Sequence, residues 1–347
     1  MNIGNIVLPQ FPLLLAPMED VSDPPFRLLC KERGADLLYT EFISSHGLVN
    51  RTAKCRKKLE ILPEERPTGV QLYGGNEETL AMATSIVDSA RPDFLDINFG
   101  CPVKGIVSKG AGAGVLKDIK LMVRLTEACV KATTLPVTVK TRLGWDDQSI
   151  NIEEVAERLQ DAGVQALTIH GRTRCQLYKG EADWRLIGKV KTNPRITIPI
   201  FGNGDMDSPQ KALDYKNRYG VDGIMIGRAA IGNPWIFGEI RHYLSTGEEK
   251  APPTVEERLA ACRRHLLLAA AWEGERKAIT EMRGRYAGYL KGLPGFRELF
   301  FKELVVLDDL SALLNIFERI EDHYAGFQPG RESVRLINYH QHYERKQ

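Results

Sequence analysis

Short apolar runs alternate with amphipathic stretches through the first two thirds of this 347-residue chain. The runs at 13–18, 37–43, 69–73, 94–99, 137–143, 166–170, 200–203 and 223–227 have strand length and end in turn residues, which predicts eight β-strands. Between them, 77–89, 119–132, 152–162 and 208–219 repeat apolar residues at helical spacing. Asn76, Asp118, Asn151, Asp183 and Ser208 each stand where a helix start leaves N–H groups to be capped. Eight βα units at roughly thirty-residue spacing predict an α/β fold of the (β/α)8 TIM-barrel type rather than an open doubly wound sheet. The nucleotide-binding form of the open sheet would carry G-x-G-x-x-G after its first strand, and none is present.

The pattern changes near Leu244. Residues 245–253 (STGEEKAPP) are polar and proline-bearing, which predicts a linker. Thr254 and Glu257 then form a capping-box pair opening a helix through 268. Helical runs at 276–290, 296–304 and 309–324 complete an expected α-helical bundle over 254–328. The expected organisation is therefore a barrel over 1–244, a linker, the bundle, and a basic tail over 329–347.

Composition narrows the class. Hydrophobic content of 43% and charged content of 27% describe an ordinary soluble protein. The net charge of +2 means that any basic surface must be local. Six cysteines without a C-x-x-C pair argue against a zinc knuckle or thioredoxin motif, so no metal is expected. Several sit in apolar segments, as reduced cysteines do in a cytoplasmic protein. No basic n-region precedes the first apolar run, which Pro9, Pro12 and Pro17 interrupt, so no signal peptide is expected. No stretch approaches the ~20 apolar residues that span a bilayer.

In a barrel, chemistry collects at the C-terminal strand ends. The first candidate strand ends in Ala16-Pro17-Met18. Later ones carry Gln71, Asn98 with Cys101, Lys140 with Arg142, and His170 with Arg172. The last two end in Gly202-Asn203-Gly204-Asp205 and Gly227-Arg228, a composition suited to a phosphate held by backbone N–H groups and a guanidinium. Lys140 in a barrel mouth needs an anion or an electron-rich ring beside it, because an unpaired buried charge is costly. Gln71 offers a donor and an acceptor to a heterocycle edge. Together these residues describe a pocket for a planar, polar, phosphorylated cofactor. Cys101, on a strand that stops at Gly100-Cys101-Pro102, is a candidate nucleophile, general acid or buried bystander.

These segments resemble the tRNA-dihydrouridine synthase family, most like its bacterial B-type group. The resemblance rests on Ala16-Pro17-Met18, Gln71, Asn98-Phe99-Gly100-Cys101-Pro102, Lys140-Thr141-Arg142-Leu143-Gly144-Trp145, His170-Gly171-Arg172-Thr173-Arg174, Gly202-Asn203-Gly204-Asp205 and Gly227-Arg228. It implies FMN at the barrel mouth, reduced by NADPH, with hydride passing to C6 of uracil and Cys101 protonating C5. It assigns Ala16, Pro17, Met18, Gln71, Lys140, His170, Asn203, Gly204, Asp205, Gly227 and Arg228 to the cofactor. Asn98, Arg142, Arg172 and Arg283 would contact the substrate. Gly284-Arg285 departs from the family pattern, where a basic residue and a histidine are common.

A uracil in folded RNA must be turned out of its stack to reach such a pocket. The segment 262–302 carries nine Lys/Arg against four Glu, with Tyr286, Tyr289, Phe296, Phe300 and Phe301 interleaved, which suits phosphate contact and base stacking. The same aromatics could equally form the bundle's own core. A monomer binding tRNA is the default expectation. The competing functions are a dihydroorotate dehydrogenase-like FMN oxidoreductase, an RNA-binding flavoprotein without catalysis, and an aldolase-type barrel using Lys140.

Overall fold

The structure, a computed structural model, describes residues 1–329. Beyond Pro329, the expected basic tail lies outside the described residues. A short antiparallel hairpin, β1 (Asn2–Ile3) and β2 (Ile6–Val7), comes first. Two-residue strands are too short to leave a periodic signal. Then follow β3 (Leu13–Leu15), β4 (Leu38–Tyr39), β5 (Ile43–Ser44), β6 (Thr68–Tyr73), β7 (Phe94–Phe99), β8 (Val137–Arg142), β9 (Ala166–His170), β10 (Ile200–Asn203) and β11 (Gly223–Ile226). They pair in the order β3-β11-β10-β9-β8-β7-β6-β4, all parallel. A parallel bridge between Leu14 and Leu37 joins the two ends, so the sheet is a nearly closed barrel.

The expected strand at 37–43 is two strands. Between β4 and β5, Glu41 leaves the ladder: its carboxylate accepts the Asp20 N–H at 2.7 Å and pairs with Lys58 at 3.1 Å. Those partners come from other loops, so the local pattern does not show the break. The helices Glu77–Ser89, Ile119–Ala132, Ile152–Asp161 and Pro209–Tyr219 occupy the expected places. Asn76, Asp118 and Ser208 accept the N–H groups of Thr79, Leu121 and Lys211, as caps do, and Asp183 accepts that of Arg185. Asn151 does not cap; its amide donates to the Leu116 carbonyl at 3.3 Å.

Side chains alternate along a strand, so Asp96 and Asn98 of β7 share one face. Strand register places Gln71 and Thr138 beside Asp96, and Lys140 beside Asn98. This inner face is unusually polar for a barrel interior, where branched apolar residues dominate.

One buried apolar cluster runs from Ile3 to Ile240 and a second from Val255 to Tyr324. The helix Ile236–Thr246 extends into the segment expected as linker and ends at Gly247 in a left-handed conformation. Thr254 and Glu257 make the expected capping box at the start of Val255–Glu273. The expected helix at 276–290 is broken into Glu275–Met282 and Tyr286–Leu290. The break lies at Gly284-Arg285, where the chain turns to send Arg285 into the barrel loop. Tyr286, Tyr289, Phe296 and Phe300 are buried in the second core, which removes them from base stacking. Among the described residues, no helix is long and apolar enough to cross a membrane.

The two cores meet through polar and backbone contacts. Arg285 pairs with Asp23 at 3.0 Å and approaches His265 Nε2 at 2.6 Å, while His265 Nδ1 lies 2.9 Å from the Tyr289 hydroxyl. Arg264 forks onto Glu32, and the Trp272 indole donates to Glu60 at 2.6 Å. Gly232 and Gly288 pass backbone to backbone: a methyl group on Gly288 would sit 2.6 Å from the Ile231 carbonyl oxygen and 2.8 Å from Gly232 Cα.

Candidate active site

A cavity of about 1200 Å³ opens over the C-terminal ends of the strands and reaches the second core. Its wall includes Ala16, Pro17, Met18, Asn98, Cys101, Lys140, Arg142, His170, Arg172, Asn203, Gly204, Asp205, Gly227, Arg228 and Arg283. The structure thus brings together all the expected site residues except Gln71. That residue is fully buried beneath the floor, between Asp96 and Asn98.

The loop after β7 is gripped from two sides. Asn98 Oδ1 accepts the N–H groups of Gly100 at 2.9 Å and Cys101 at 2.8 Å. Arg142 Nε donates to the Gly100 carbonyl at 2.8 Å, and its Nη1 donates to the carbonyls of Thr173 and Leu177. Cys101 is 7% exposed, so its thiol meets the cavity at a nearly closed surface. Burial pushes that thiol above its ordinary range, and the Val103 N–H, Arg142 and Lys140 only partly oppose the rise. The sulfur therefore keeps its proton at neutral pH.

Two neighbouring strand ends supply nitrogen donors. Lys140 Nζ donates to Asn203 Oδ1 at 3.1 Å, and the Asn203 amide donates to the Met225 carbonyl at 2.8 Å. Burial and Arg142 bring the Lys140 ammonium down to about 8, against the pull of Asp96 and Cys101. It stays mostly charged at pH 7. Burial and four surrounding cations, Arg142, Lys140, Arg172 and Arg228, hold His170 well below its usual range, so the ring is neutral. Its Nε2 lies 3.4 Å from Arg172 Nη1. Arginine offers only donors, which assigns the ring proton to Nδ1.

Asp205 ties the loops after β9 and β10 together. Its carboxylate takes Arg172 in a fork at 2.9 and 2.7 Å, the Ala182 N–H at 2.8 Å and Arg228 at 3.2 Å. Those donors hold it below the usual carboxylate range despite partial burial. The Arg228 guanidinium also lies over the Tyr178 ring, 4.9 Å from its centroid. Lys211 donates to the Asp205 carbonyl at 2.7 Å. Lys211 also pairs with Asp207 at 3.2 Å, so two carboxylates, Asp205 and Asp207, stand among the three cations Arg172, Arg228 and Lys211, an excess of one positive charge at these strand ends. Gly227 lines the same surface, where an added methyl group would come within 3.4 Å of Ala16 and 3.6 Å of the Met18 sulfur. Gly202 has a different reason: a side chain there would collide with Trp184.

Asp96, Glu41 and Lys58 are the residues that sequence reasoning passed over. Asp96 left a signal, since a carboxylate inside the apolar run FLDINF breaks the strand pattern. The pairing of Lys58 with Glu19 at 2.6 Å and with Glu41 left none. Arg283, at the far side of the cavity, donates to the Leu307 carbonyl at 3.1 Å.

The chain is similar along most of its length to named enzymes. A family model described as dihydrouridine synthase (Dus) matches residues 14–316. A probable tRNA-dihydrouridine synthase of Rickettsia conorii is 38% identical over 93% of this chain and 96% of its own. A tRNA-dihydrouridine synthase B of Pseudomonas aeruginosa is 41% identical over 86% of this chain and 89% of its own. Among solved structures, a histamine dehydrogenase from Rhizobium sp. 4-9 superposes with a TM-score of 0.54 at 11% identity, covering 77% of this chain and 50% of that one. A morphinone reductase variant in complex with tetrahydroNAD gives a TM-score of 0.52 at 12% identity, covering 73% and 92%. The structural likeness is one of fold; the sequence likeness, with the cysteine loop and the cationic strand ends in place, shows that the chain belongs to the dihydrouridine synthase family.

Proposed function

We propose that this chain reduces uridines in tRNA to 5,6-dihydrouridine, with FMN as resident cofactor and NADPH as reductant. The observation that carries the reading is a protonated thiol, Cys101, at the cavity wall on a loop clamped by Asn98 and Arg142. The donor set suits FMN. The excess of Arg172, Arg228 and Lys211 over Asp205 and Asp207, with the side-chain-free surface at Gly227, suits a phosphate. Lys140, Asn203 and neutral His170 suit the polar edge of a flavin ring, and Ala16, Pro17 and Met18 offer an apolar wall.

Bound FMN in its reduced form supplies the hydride for C6 of uracil. The remaining work belongs to side chains. Cys101 Sγ holds the proton that C5 requires, and burial keeps it there until a carbanion-like centre forms. Asn98 and Arg142 fix the position of that sulfur. Arg172 and Asp205 brace the loops that shape the pocket. Arg283 and the rest of the bundle over 254–328 face the RNA. The six free cysteines fit a reducing compartment such as the cytoplasm.

The test is mass analysis of nucleosides after incubating the flavin-loaded protein with unmodified tRNA and NADPH. Dihydrouridine is expected with the wild type and absent with Cys101→Ala. Oxidation of free dihydroorotate without activity on tRNA would instead select the dehydrogenase reading.

A further inference from the structure

Beneath the cavity floor runs a chain of four hydrogen-bonded side chains and backbone groups that the proposed chemistry does not yet use. Asp96 is fully buried on β7. Thr138 Oγ1 donates to its Oδ1 at 2.5 Å, and Gln71 Nε2 donates to its Oδ2 at 2.6 Å. Gln71 Oε1 accepts Asn98 Nδ2 at 2.7 Å. Asn98 Oδ1 then accepts the Gly100 and Cys101 N–H groups.

The chain has one direction. An ionised carboxylate only accepts, so Gln71 must turn its NH2 to Asp96 and its oxygen to Asn98. Asn98 must then turn its own oxygen upward, where two backbone N–H groups can only donate. Both ends enforce the same order. Either amide, turned over, would set donor against donor inside a dry wall, at the cost of an unsatisfied buried group.

We propose that Asp96 is a positioning residue that acts through Gln71 and Asn98 to hold Cys101 at the cavity surface. Burial raises Asp96 to about 6, opposed by Thr138, Gln71 and Lys140, so the carboxylate is ionised at neutral pH as this role requires. The inference rests on the proposed function only for the purpose of the positioning. The linkage itself is testable without any turnover.

The experiment measures iodoacetamide alkylation of Cys101, followed by peptide mass at that one site, in wild type, Asp96→Leu, Gln71→Met and the double variant. Each is first shown to be folded by its near-UV spectrum. With the relay cut, the loop loosens and alkylation of Cys101 quickens at least threefold, while that of exposed Cys175 stays unchanged. The double variant is no faster than the faster single one, because both cuts fall in one chain. In turnover, kcat falls about tenfold and the KM for tRNA stays within twofold. Wild-type alkylation rates in whichever of the two single variants folds, or additive effects in the double variant, overturn the proposal. A wild type that makes no dihydrouridine overturns the proposed function and leaves the alkylation result standing.

Discussion

Arg285 Nη2 lies 3.0 Å from Asp23 Oδ2, joining the first barrel loop to the helical bundle through a pair that is almost wholly buried. Asp23 also caps the helix Pro24–Glu32 by accepting the Phe26 N–H at 2.9 Å. Arg285 further donates to the Asp20 carbonyl at 3.0 Å, beside the cavity. Replacing Arg285 by Met leaves Asp23 without its cation in a dry site. The expected loss is about 3–5 kcal/mol, read from denaturant midpoints at pH 7. Burial opposes ionisation of Asp23, but Arg285, His265 and the Phe26 N–H win and hold it below its ordinary value. The Asp23 share is thus complete above about pH 4, the unfolded value, and fades as pH falls through the folded one, whereas Glu281, 3.5 Å from the same guanidinium and raised by burial to about 7, already takes up its proton around neutrality. The difference between Arg285→Met and wild type should shrink as the measurement moves from pH 7 to pH 3.

Cys101→Ala should lower dihydrouridine formation by about 10²–10⁴-fold, the usual weight of a positioned acid. Affinity for tRNA, measured by filter binding, should stay within twofold. Because burial raises the thiol, the alkaline limb that belongs to Cys101 lies above the ordinary thiol range of about 8.5, beyond the one that the Lys140 ammonium gives at about 8. A limb below pH 7 would assign the proton to another group.

Arg228→Met removes from the surface proposed for phosphate the guanidinium that also lies over the Tyr178 ring, and keeps an unbranched side chain in its place. Flavin affinity, followed by fluorescence quenching, should fall roughly tenfold to a hundredfold, as the loss of a charge-assisted contact implies. The same change should leave the affinity of flavin-loaded protein for tRNA within about threefold.

Arg283→Glu reverses a charge on the bundle side of the cavity. The tRNA dissociation constant should rise at least tenfold at low salt, and the slope of its logarithm against that of salt should drop by about one to two. The flavin spectrum should not change. Equal slopes for variant and wild type would remove Arg283 from the RNA surface.

The barrel was legible where the chain speaks locally. Residues 94–99, 166–170 and 200–203 are apolar runs bounded by turns, and the strands β7, β9 and β10 match them end to end. The strand at 37–43 and the helix at 276–290 broke for one shared reason. Glu41 and Arg285 are claimed by partners far away in sequence, Asp20 and Lys58 for the first and Asp23, 262 residues distant, for the second. The site was legible as polar residues at strand ends, because Lys140 and His170 contradict an apolar interior. The floor was not. That Gln71 lies under Asn98 depends on the register of β6 against β7, which no single segment encodes.

The close passage of Gly232 and Gly288 leaves the two halves of the molecule no slack at their seam. Together with the Arg285–Asp23 pair, it sets the span between the thiol and the helices that carry Arg283 as a carpenter's square sets an angle. A methyl group at position 288 would have to part the two backbones where Ile231 and Gly288 border the cavity, and so would widen its mouth from the side opposite the strand ends.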